Sequence, residues 1–499
     1  MAYTAALTAK IEICWDGTNW VDETAHCLMP SAVSYAYGLL GPGGSLAQLG
    51  EGPVARLRCV MANADGRFSA DRLGSQAATY GLFQKRIRFT AGYTSGTDPG
   101  PGTAVIWQGR IQDVQESEQA AEVTLACYGH DLDLQQQRPQ VAAVGNKRVD
   151  ELVSLMASAV GYTNVVLERG YTVVPWFYSD GDDCLAAMRE AAEAEGALVW
   201  LDPQDTKLKL WTWGHWIGQN SGEGWDRDRL EEVRPRRDYA NAYDVVNVSY
   251  QPRRRGRLVS IHQLTRPIIV PPDNEVTERL RFRYPMIAMQ SYTVRARSAG
   301  GENLDGYLGI SPAAPQGALY WEVTFANSHT RHALVVDKFD IIGWPIEGLP
   351  NREYKSERDS LDVHRQTDVR PEVRRAEVKV RYALQHEAQA RLVAELKSWR
   401  LQEPPLVLQI GPVPGDPRLH VGDVVQLSLG NGVSQIEELV VLLHRQGSYG
   451  GPEQSCRWQE VWTAAALDDL YQYPAVSTGT GDGTFIVGTS RLGYGRLGY

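Results

Sequence analysis

Histidines that could hold a catalytic metal occur at two places in this 499-residue chain. His386 and Glu387 begin a zinc-protease helix pattern, but Ala390 stands where the second histidine must lie, one helical turn later. His329 and His332 could place two imidazoles near one another, yet no nearby cysteine or acidic residue completes four ligands. We interpret the first group as a solvated helix face and the second as a surface loop.

A partial calcium-loop pattern occurs between two predicted strands. Asn63, Asp65 and Gly66 match part of such a loop, which ends in a glutamate that binds calcium with both oxygens. Gly74 lies at or near the place of that glutamate, so the pattern favours an Asx turn over a calcium site.

Acidic residues flank a helix that we predict from about residue 183 to residue 195: Asp180, Asp182, Asp183, Glu193 and Glu195. Paired carboxylates hydrolyse glycosides when they are held at the right separation. Asp182 or Asp183, however, stands where a helix N-cap belongs, and acidic side chains stabilise that end of a helix. The pattern therefore favours capping over catalysis.

An aromatic stripe and a basic cluster could each bind a ligand. The stripe is Trp211, Trp213, His215 and Trp216, and the cluster is Arg253, Arg254, Arg255 and Arg257. Tryptophan platforms bind sugars and nucleobases, but alternating tryptophans on a strand are more typical of a core or a subunit contact. The arginines could touch DNA or an acidic partner, although a solvated hairpin end is favoured.

The motifs of the common enzyme classes are missing. The sequence contains no P-loop, no GxGxxG between a strand and a helix, and no GxSxG nucleophile elbow. We therefore predict that the chain is not an enzyme, that it needs no cofactor, and that it has no catalytic, cofactor-binding or metal-binding residues.

Composition narrows the class of partner and the location. The net charge of −10 argues against a protein that grips DNA, but it suits a conduit past which DNA slides. The N-terminus lacks a basic region followed by a long apolar core, and no apolar run reaches about 18 residues, so we expect neither a secretory signal nor a membrane span. The cysteines form no CxxC pair and are interpreted as buried small hydrophobes; they are Cys14, Cys27, Cys59, Cys127, Cys184 and Cys456.

Strand patterns dominate the chain, with helices in only two places. Short alternating or apolar runs between turn residues predict strands throughout residues 1–139. Residues 140–235 combine two amphipathic helices with a hairpin, which predicts a small α+β unit. The clearest strand is Arg375–Tyr382, and a helix follows it. That helix should bury one stripe of side chains, namely Ala388, Leu392, Leu396 and Trp399.

Residues 55–134 carry a resemblance to a known family. Asn63–Ser69 reads NADGRFS after a strand, and Tyr80–Arg88 reads YGLFQKRIR. Ile106–Ile111 then reads IWQGRI, and Val123–Asp131 reads VTLACYGHD. In this order and spacing, the segments resemble the first part of the tail hub, or tail tip, proteins of long-tailed, siphovirus-like bacteriophages, which are related in architecture to the baseplate hub of contractile tails. Leu419–Val425, LHVGDVV, is similar to a closing strand of that family.

The resemblance implies a fold and a structural function. The fold is mainly β with a small α+β insertion, and two β-barrel-like tail-tube domains lie in one chain. Three subunits form a ring that joins the tail tube and the distal tail ring to a central tip or fibre. The implied partners are two further copies of the chain, the distal tail protein, the tape measure protein and tail fibre or tip proteins. DNA passes through without sequence-specific binding, and no stable membrane insertion is implied.

The resemblance also implies a location and a division of the chain. The implied location of the protein is the distal tail end of the virion, after assembly in the bacterial cytoplasm. The implied roles are host attachment and genome ejection. The predicted domains are a first tube-like domain (1–139), the α+β insertion (140–235), a second tube-like domain (236–300 and 371–465), a β-rich decoration (301–370) and a C-terminal docking extension (466–499). That extension ends in the direct repeat RLGYGRLGY, residues 491–499.

The sequence also allows a second function. A tail-tip protein that binds carbohydrate or degrades cell walls would use an exposed platform at Trp211, Trp213 and Trp216, or two carboxylates facing a cleft.

Overall fold

A computed structural model describes residues 7–28, 33–41, 46–95, 101–117, 121–216, 219, 223–226, 230, 232–237, 243, 245–311, 318–357, 375–379, 383–402, 406–430, 435–450, 457–467 and 470. The prediction of a mainly β chain with a small α+β insertion is confirmed. Within these residues, no sheet closes into a barrel. The described helices include none that is both long enough and apolar enough to cross a membrane.

The first part of the chain is built almost entirely of strands. Its elements are β1 (Leu7–Cys14), β2 (Val21–Asp22), β3 (Val33–Gly38), β4 (Arg56–Ala62), α1 (Gln76–Tyr80), β5 (Arg86–Tyr93), β6 (Gly102–Ser117) and β7 (Glu122–Tyr128). In β4, Leu57, Cys59 and Met61 are buried, and Arg56 and Arg58 are exposed, as the alternation of side chains on a strand requires.

Helices enter after β7. The next elements are α2 (His130–Gln136), β8 (Gln140–Arg148), α3 (Val149–Ala159), β9 (Val165–Leu167), β10 (Val173–Asp180), α4 (Cys184–Glu193), β11 (Leu198–Leu201) and β12 (Leu208–Trp211). Asp183 caps α4, because its Oδ1 accepts a hydrogen bond from the Ala186 amide at 2.9 Å. The capping interpretation of this acidic group is confirmed for Asp183.

The middle of the chain returns to strands. These are β13 (Glu223–Asp226), β14 (Val233–Arg237), β15 (Val245–Tyr250), β16 (Arg253–Arg255), β17 (Val259–Gln263), β18 (Ile268–Val270), β19 (Asn274–Arg281), β20 (Met286–Arg297), β21 (Leu308–Ser311), β22 (Tyr320–Asn327), β23 (Leu334–Gly348) and β24 (Arg352–Glu357). The last elements are β25 (Arg375–Lys379), α5 (Glu387–Gln402), β26 (Leu406–Pro414), β27 (Val424–Gly430), β28 (Gln435–Gly450) and β29 (Arg457–Ala466).

One large sheet joins strands from distant parts of the sequence. Its order is β14-β26-β29-β28-β3-β4-β7-β6-β5-β1-β2, with β27 also paired to β28 and β13 paired to β27. The two parts meet where β28 pairs with β3, from His444 opposite Gly38 to Tyr449 opposite Val33. A single hydrophobic core under this sheet therefore contains residues from both.

A second core forms around the helices. It contains the inner faces of α3 and α4, and also Val246 and Val248 of β15 and Val393 of α5. The α+β unit thus shares its core with segments beyond residue 235. Gln385, just before α5, joins the two parts by donating a hydrogen bond from Nε2 to the carbonyl oxygen of Trp176 in β10.

A third core lies between two sheets that form a β-sandwich. One sheet contains β17, β18 and β20 on β23, with β16 at the end of β23, and the other has the order β19-β22-β21. Because β20 pairs with β23 from Met286 to Arg297, the pairing crosses the predicted domain boundary at residue 300.

Candidate functional site

A buried ion pair lies at the centre of the large sheet. Arg445 of β28 and Glu460 of β29 have no exposed side-chain surface, and Arg445 Nε donates to Glu460 Oε1 at 2.8 Å. The Tyr35 hydroxyl of β3 donates to the same carboxylate oxygen, and Trp462 Nε1 donates to Glu460 Oε2 at 3.2 Å. The pair therefore links the two parts of the sheet beside their junction.

The remaining donors of this arginine hold the chain before β27. Arg445 Nη1 donates to the carbonyl oxygen of Leu419 at 2.9 Å, and Nη2 donates to that of Asp416 at 2.8 Å. The guanidinium also lies 4.8 Å from the ring centroid of Trp462. A charge with this many partners supplies rigidity, and its burial leaves no access for a substrate.

The electrostatics of the pair follow from this burial. Burial alone would lower the pKa of Arg445, but the charge of Glu460 raises it well above its ordinary value. Burial raises the pKa of Glu460, and the charge of Arg445 opposes that rise. The direct contact of guanidinium and carboxylate thus holds the pair in its charged form.

The NADGRFS turn, which carries part of the family resemblance, has a structural role at nearly every position. Asn63 Oδ1 accepts from the Phe68 amide at 2.9 Å, and Asp65 Oδ1 accepts from the Arg67 amide at 3.1 Å, so the predicted Asx turn is confirmed. Phe68 is fully buried. Arg67 makes a two-point contact with buried Glu23, at 2.8 and 2.7 Å.

Two other residues of the resemblance also have structural roles. Asp131 accepts from the Ala55 amide at 2.8 Å, which ties α2 to the start of β4, and burial raises its pKa to about 6. Gly422 has φ +99°, and a Cβ there would lie 2.3 Å from the ring of Trp211. Only glycine satisfies both conditions. These residues are thus explained by packing, without a bound ligand.

The aromatic stripe is largely a core feature, as the pattern favours. Trp211 and Trp216 are buried, and Trp216 Nε1 donates to the carbonyl oxygen of Gly422 at 2.8 Å. Trp211 stacks on His215 with ring centroids 4.3 Å apart. Trp213 is half-buried, with its ring centroid 5.6 Å from that of Tyr171. Two of the three tryptophans therefore present no face to a sugar.

Two of the acidic residues around α4, Asp183 and Glu195, have structural roles. Asp183 caps the start of the helix, and Glu195 lies past its end, roughly 18 Å away along the axis. Glu195 is buried and accepts from the amides of Tyr171 at 2.9 Å and Thr172 at 2.8 Å. Its burial raises its pKa to about 6. Glycoside hydrolysis requires carboxylates closer together than Asp183 and Glu195 are.

The histidine candidates have ordinary roles. His329 Nδ1 accepts from the amides of Arg331 at 3.1 Å and His332 at 3.0 Å, which makes a tight turn. His386 is exposed next to the start of α5, while Ala390 is fully buried. In the described part of the chain, no group of three or more His, Cys, Asp or Glu side chains could hold a metal ion. That the chain has no catalytic, cofactor or metal residue stays a prediction.

The basic cluster lies on and after β16. Arg253 lies over the ring of Tyr178 at 5.1 Å, and Arg255 lies over that of Trp344 at 4.3 Å. Arg254 pairs with Glu347 at 3.0 Å, and Arg257 is exposed. β16 pairs with the end of β23, so the cluster lies at the end of a strand pair. This position is close to the favoured interpretation, a solvated hairpin end.

The cysteines that the structure describes are buried and unpaired, namely Cys14, Cys27, Cys59, Cys127 and Cys184. Their interpretation as small hydrophobes is confirmed. Cys456 and the C-terminal repeat of residues 491–499 lie outside the described residues.

Comparisons with known proteins find similarity only among solved structures. No family model matches the chain, and no curated protein does. Solved structures are similar at low identity. A tail protein from Neisseria meningitidis MC58 has 11% identity and a TM-score of 0.49, covering 93% of this chain and 97% of the other. The 43 kDa tail protein of prophage MuSo2 from Shewanella oneidensis has 8% identity and a TM-score of 0.48, covering 93% and 99%.

A third similar structure is prophage tail protein gp18 from Listeria monocytogenes EGD-e, with 9% identity, a TM-score of 0.42, and coverage of 92% of this chain and 94% of the other. These three solved structures are tail proteins, the class that residues 55–134 resemble.

Proposed function

We propose that this chain is a structural hub or tip protein of a phage tail. Three copies form a ring that joins the tail tube and the distal tail ring to the central tip or fibre. The tape measure protein and the DNA pass through the ring during ejection. The protein is located at the distal tail end of the virion and assembles in the host cytoplasm.

The large sheet is the observation that carries this proposal. It is one hydrogen-bonded layer made from strands of residues 7–128, 223–237 and 406–466, and a buried ion pair braces the junction of its two parts. A ring subunit that must withstand the passage of a polymer needs such a rigid frame. The residues of the resemblance lie in this frame, and they have structural roles there.

The edges of the large sheet support assembly with further copies. β2 covers β1 only at Glu12 and Ile13, so, among the described residues, Leu7–Lys10 pairs with β5 alone and its other edge is open. At the opposite end, β14 contains Pro235 between the exposed Arg234 and Arg236, a combination that discourages strand addition. Among the described residues, the β1 edge is therefore available to a neighbouring subunit.

Charge supports the role of a conduit. The net charge of −10 would repel phosphates and keep DNA moving through a channel. We propose the distal tail protein, the tape measure protein and tail fibre or tip proteins as further partners, with no catalytic activity. We also propose that the first tube-like domain lies in residues 1–139 and the second in residues 236–300 and 371–465.

Native mass spectrometry of the purified chain tests the proposal. A trimer is the expected species, and hydrogen exchange should slow at the amides of Leu7–Lys10 when the trimer forms. A chain that stays monomeric at every concentration would contradict the ring. Binding of a cell-wall oligosaccharide by that monomer would favour the carbohydrate-binding alternative.

A further inference from the structure

The β-sandwich contains a basic cleft that has no part in the proposed ring. The cleft has a volume of about 520 Å³ and lies between β17, the loop after it and the end of β19. Its charged lining is Arg266, Glu278, Arg279, Arg281 and Arg283, together with His262. Four arginines against one glutamate give this cleft a positive charge in a chain whose net charge is −10.

Two of the four arginines already have partners inside the protein. Arg266 lies 3.8 Å from the carboxylate of Glu278, and Arg279 lies 3.7 Å from the ring centroid of Tyr320. Arg281 and Arg283 are exposed, and neither guanidinium makes a hydrogen bond or an ion pair with the described residues. The cleft therefore holds two guanidiniums, those of Arg281 and Arg283, that have no partner among the described residues.

The backbone brings these arginines together at the end of β19. Leu280 is buried, so Arg279 and Arg281 project from the opposite face of that strand, and Arg283 lies in the bend just after it. Alternate residues of an extended strand are about 6.7 Å apart. The Arg283 amide donates to the carbonyl oxygen of Ile261 at 2.8 Å, which anchors this end against β17.

His262 adds a further polar atom with no partner. Its Nδ1 lies 2.6 Å from the carbonyl oxygen of Arg281, which can only accept, so Nδ1 carries a proton. Its Nε2 is buried without a hydrogen-bond partner among the described residues.

We propose that this cleft binds a phosphate monoester on a small molecule or at the end of a glycan, such as a phosphorylated sugar. Two free guanidiniums match the double charge of a phosphate dianion, and their planar forks match its oxygen atoms. A carboxylate carries one charge and would leave one arginine unneutralised.

The size and lining of the cleft favour a compact ligand over a nucleic acid. Its volume lies in the range of small-molecule sites, about 300–1,000 Å³. Single-stranded nucleic acids bind on exposed aromatic rings, and Phe282, the phenyl ring of this lining, is only 8% exposed.

Isothermal titration calorimetry of the full chain with glucose 6-phosphate tests this site. We expect saturable binding of one molecule per chain, and roughly tenfold weaker binding for each of Arg281→Gln and Arg283→Gln, since each removes a charge-assisted contact. Glu278→Gln should strengthen binding severalfold, because it removes the one negative charge and releases Arg266.

Matched controls separate the cleft from general charge effects. Arg254→Gln removes an exposed arginine of the same sandwich, outside the cleft, and should leave the affinity unchanged. Circular dichroism and thermal unfolding check that each variant is folded. Glucose and glucuronate should not compete.

Three results would overturn the proposal: no binding of glucose 6-phosphate by the folded chain, equal affinity in the Arg281→Gln/Arg283→Gln variant, or equal binding of glucuronate. Binding of a short single-stranded oligodeoxynucleotide in place of the sugar phosphate would assign the cleft to nucleic acid. None of these results bears on whether the chain forms a trimeric ring.

Discussion

The core of the large sheet and the cleft of the sandwich use arginine in opposite ways. Arg445 is completely buried and is held by a carboxylate, two backbone carbonyl oxygens and aromatic rings. Arg281 and Arg283 lie on an exposed face. A fully partnered buried charge contributes to one rigid structure, whereas an unneutralised exposed charge is available to a ligand. The difference teaches that burial and partners, and not residue type, decide which role a charge takes.

Removal of Arg445 should have the largest effect on stability. Arg445→Met leaves Glu460 buried without its cation, and such a change costs about 3–5 kcal/mol in the free energy of unfolding. Urea unfolding measures it. The double variant Arg445→Met/Glu460→Leu should recover much of the loss, because no unpaired charge stays buried. A single variant as stable as the wild type would refute the bracing role of the pair.

A pair of glycine substitutions tests whether the backbone is also more constrained in the core of the large sheet than in the sandwich. Gly422→Ala should destabilise the chain by about 3 kcal/mol, because the positive φ and the contact with Trp211 both oppose a Cβ. Gly306→Ala, in the sandwich, meets no atom within 4 Å and should change stability by less than about 0.5 kcal/mol. Thermal and urea unfolding of both variants test this, and equal effects would be inconsistent with the packing described.

Stability should depend on pH through Glu195. Burial raises its pKa to about 6 in the folded chain, above its ordinary 4.5, so the folded state binds the proton more tightly than the unfolded state. This stabilising contribution is complete below about pH 4.5 and is lost as the pH rises through 6. Relative to Glu195→Gln, the wild type should lose about 2 kcal/mol between pH 4 and pH 7. Urea unfolding across this range measures the difference, which a parallel pH profile of the two proteins would contradict.

The cleft variants should have the smallest effect on stability. Arg281→Gln/Arg283→Gln removes exposed charges without recorded internal partners, so the free energy of unfolding should change by less than about 0.5 kcal/mol. A loss comparable to that of Arg445→Met would show that these arginines hold the sandwich together, which would end the contrast between the two regions.

Local features were predictable from the sequence because their causes are local. The Asx turn at Asn63 and the N-cap at Asp183 depend on residues within five positions of each other. The α5 stripe was predicted less well: Leu396 is buried, but Ala388 is exposed and Ala390 takes its place in the core. The small residues Ala390, Val393 and Ala394 face the second core, where larger side chains were expected.

Long-range features escaped prediction because their causes are distant in sequence. Tyr35 and Glu460 are 425 positions apart, and the only local signal of their contact is a glutamate between Trp458 and Trp462. The cleft could have been found from the alternation of Arg279, Arg281 and Arg283, but nothing in the sequence indicates which strand lies beside them. Their position depends on how two sheets pack.

Electron microscopy of the purified assembly tests the central claim most directly, because it images the ring itself. The proposed function predicts threefold particles with an open centre and with the large sheet of each subunit continued or covered at its β1 edge. Single, unassociated subunits at all concentrations, or a closed particle with no central opening, would contradict it.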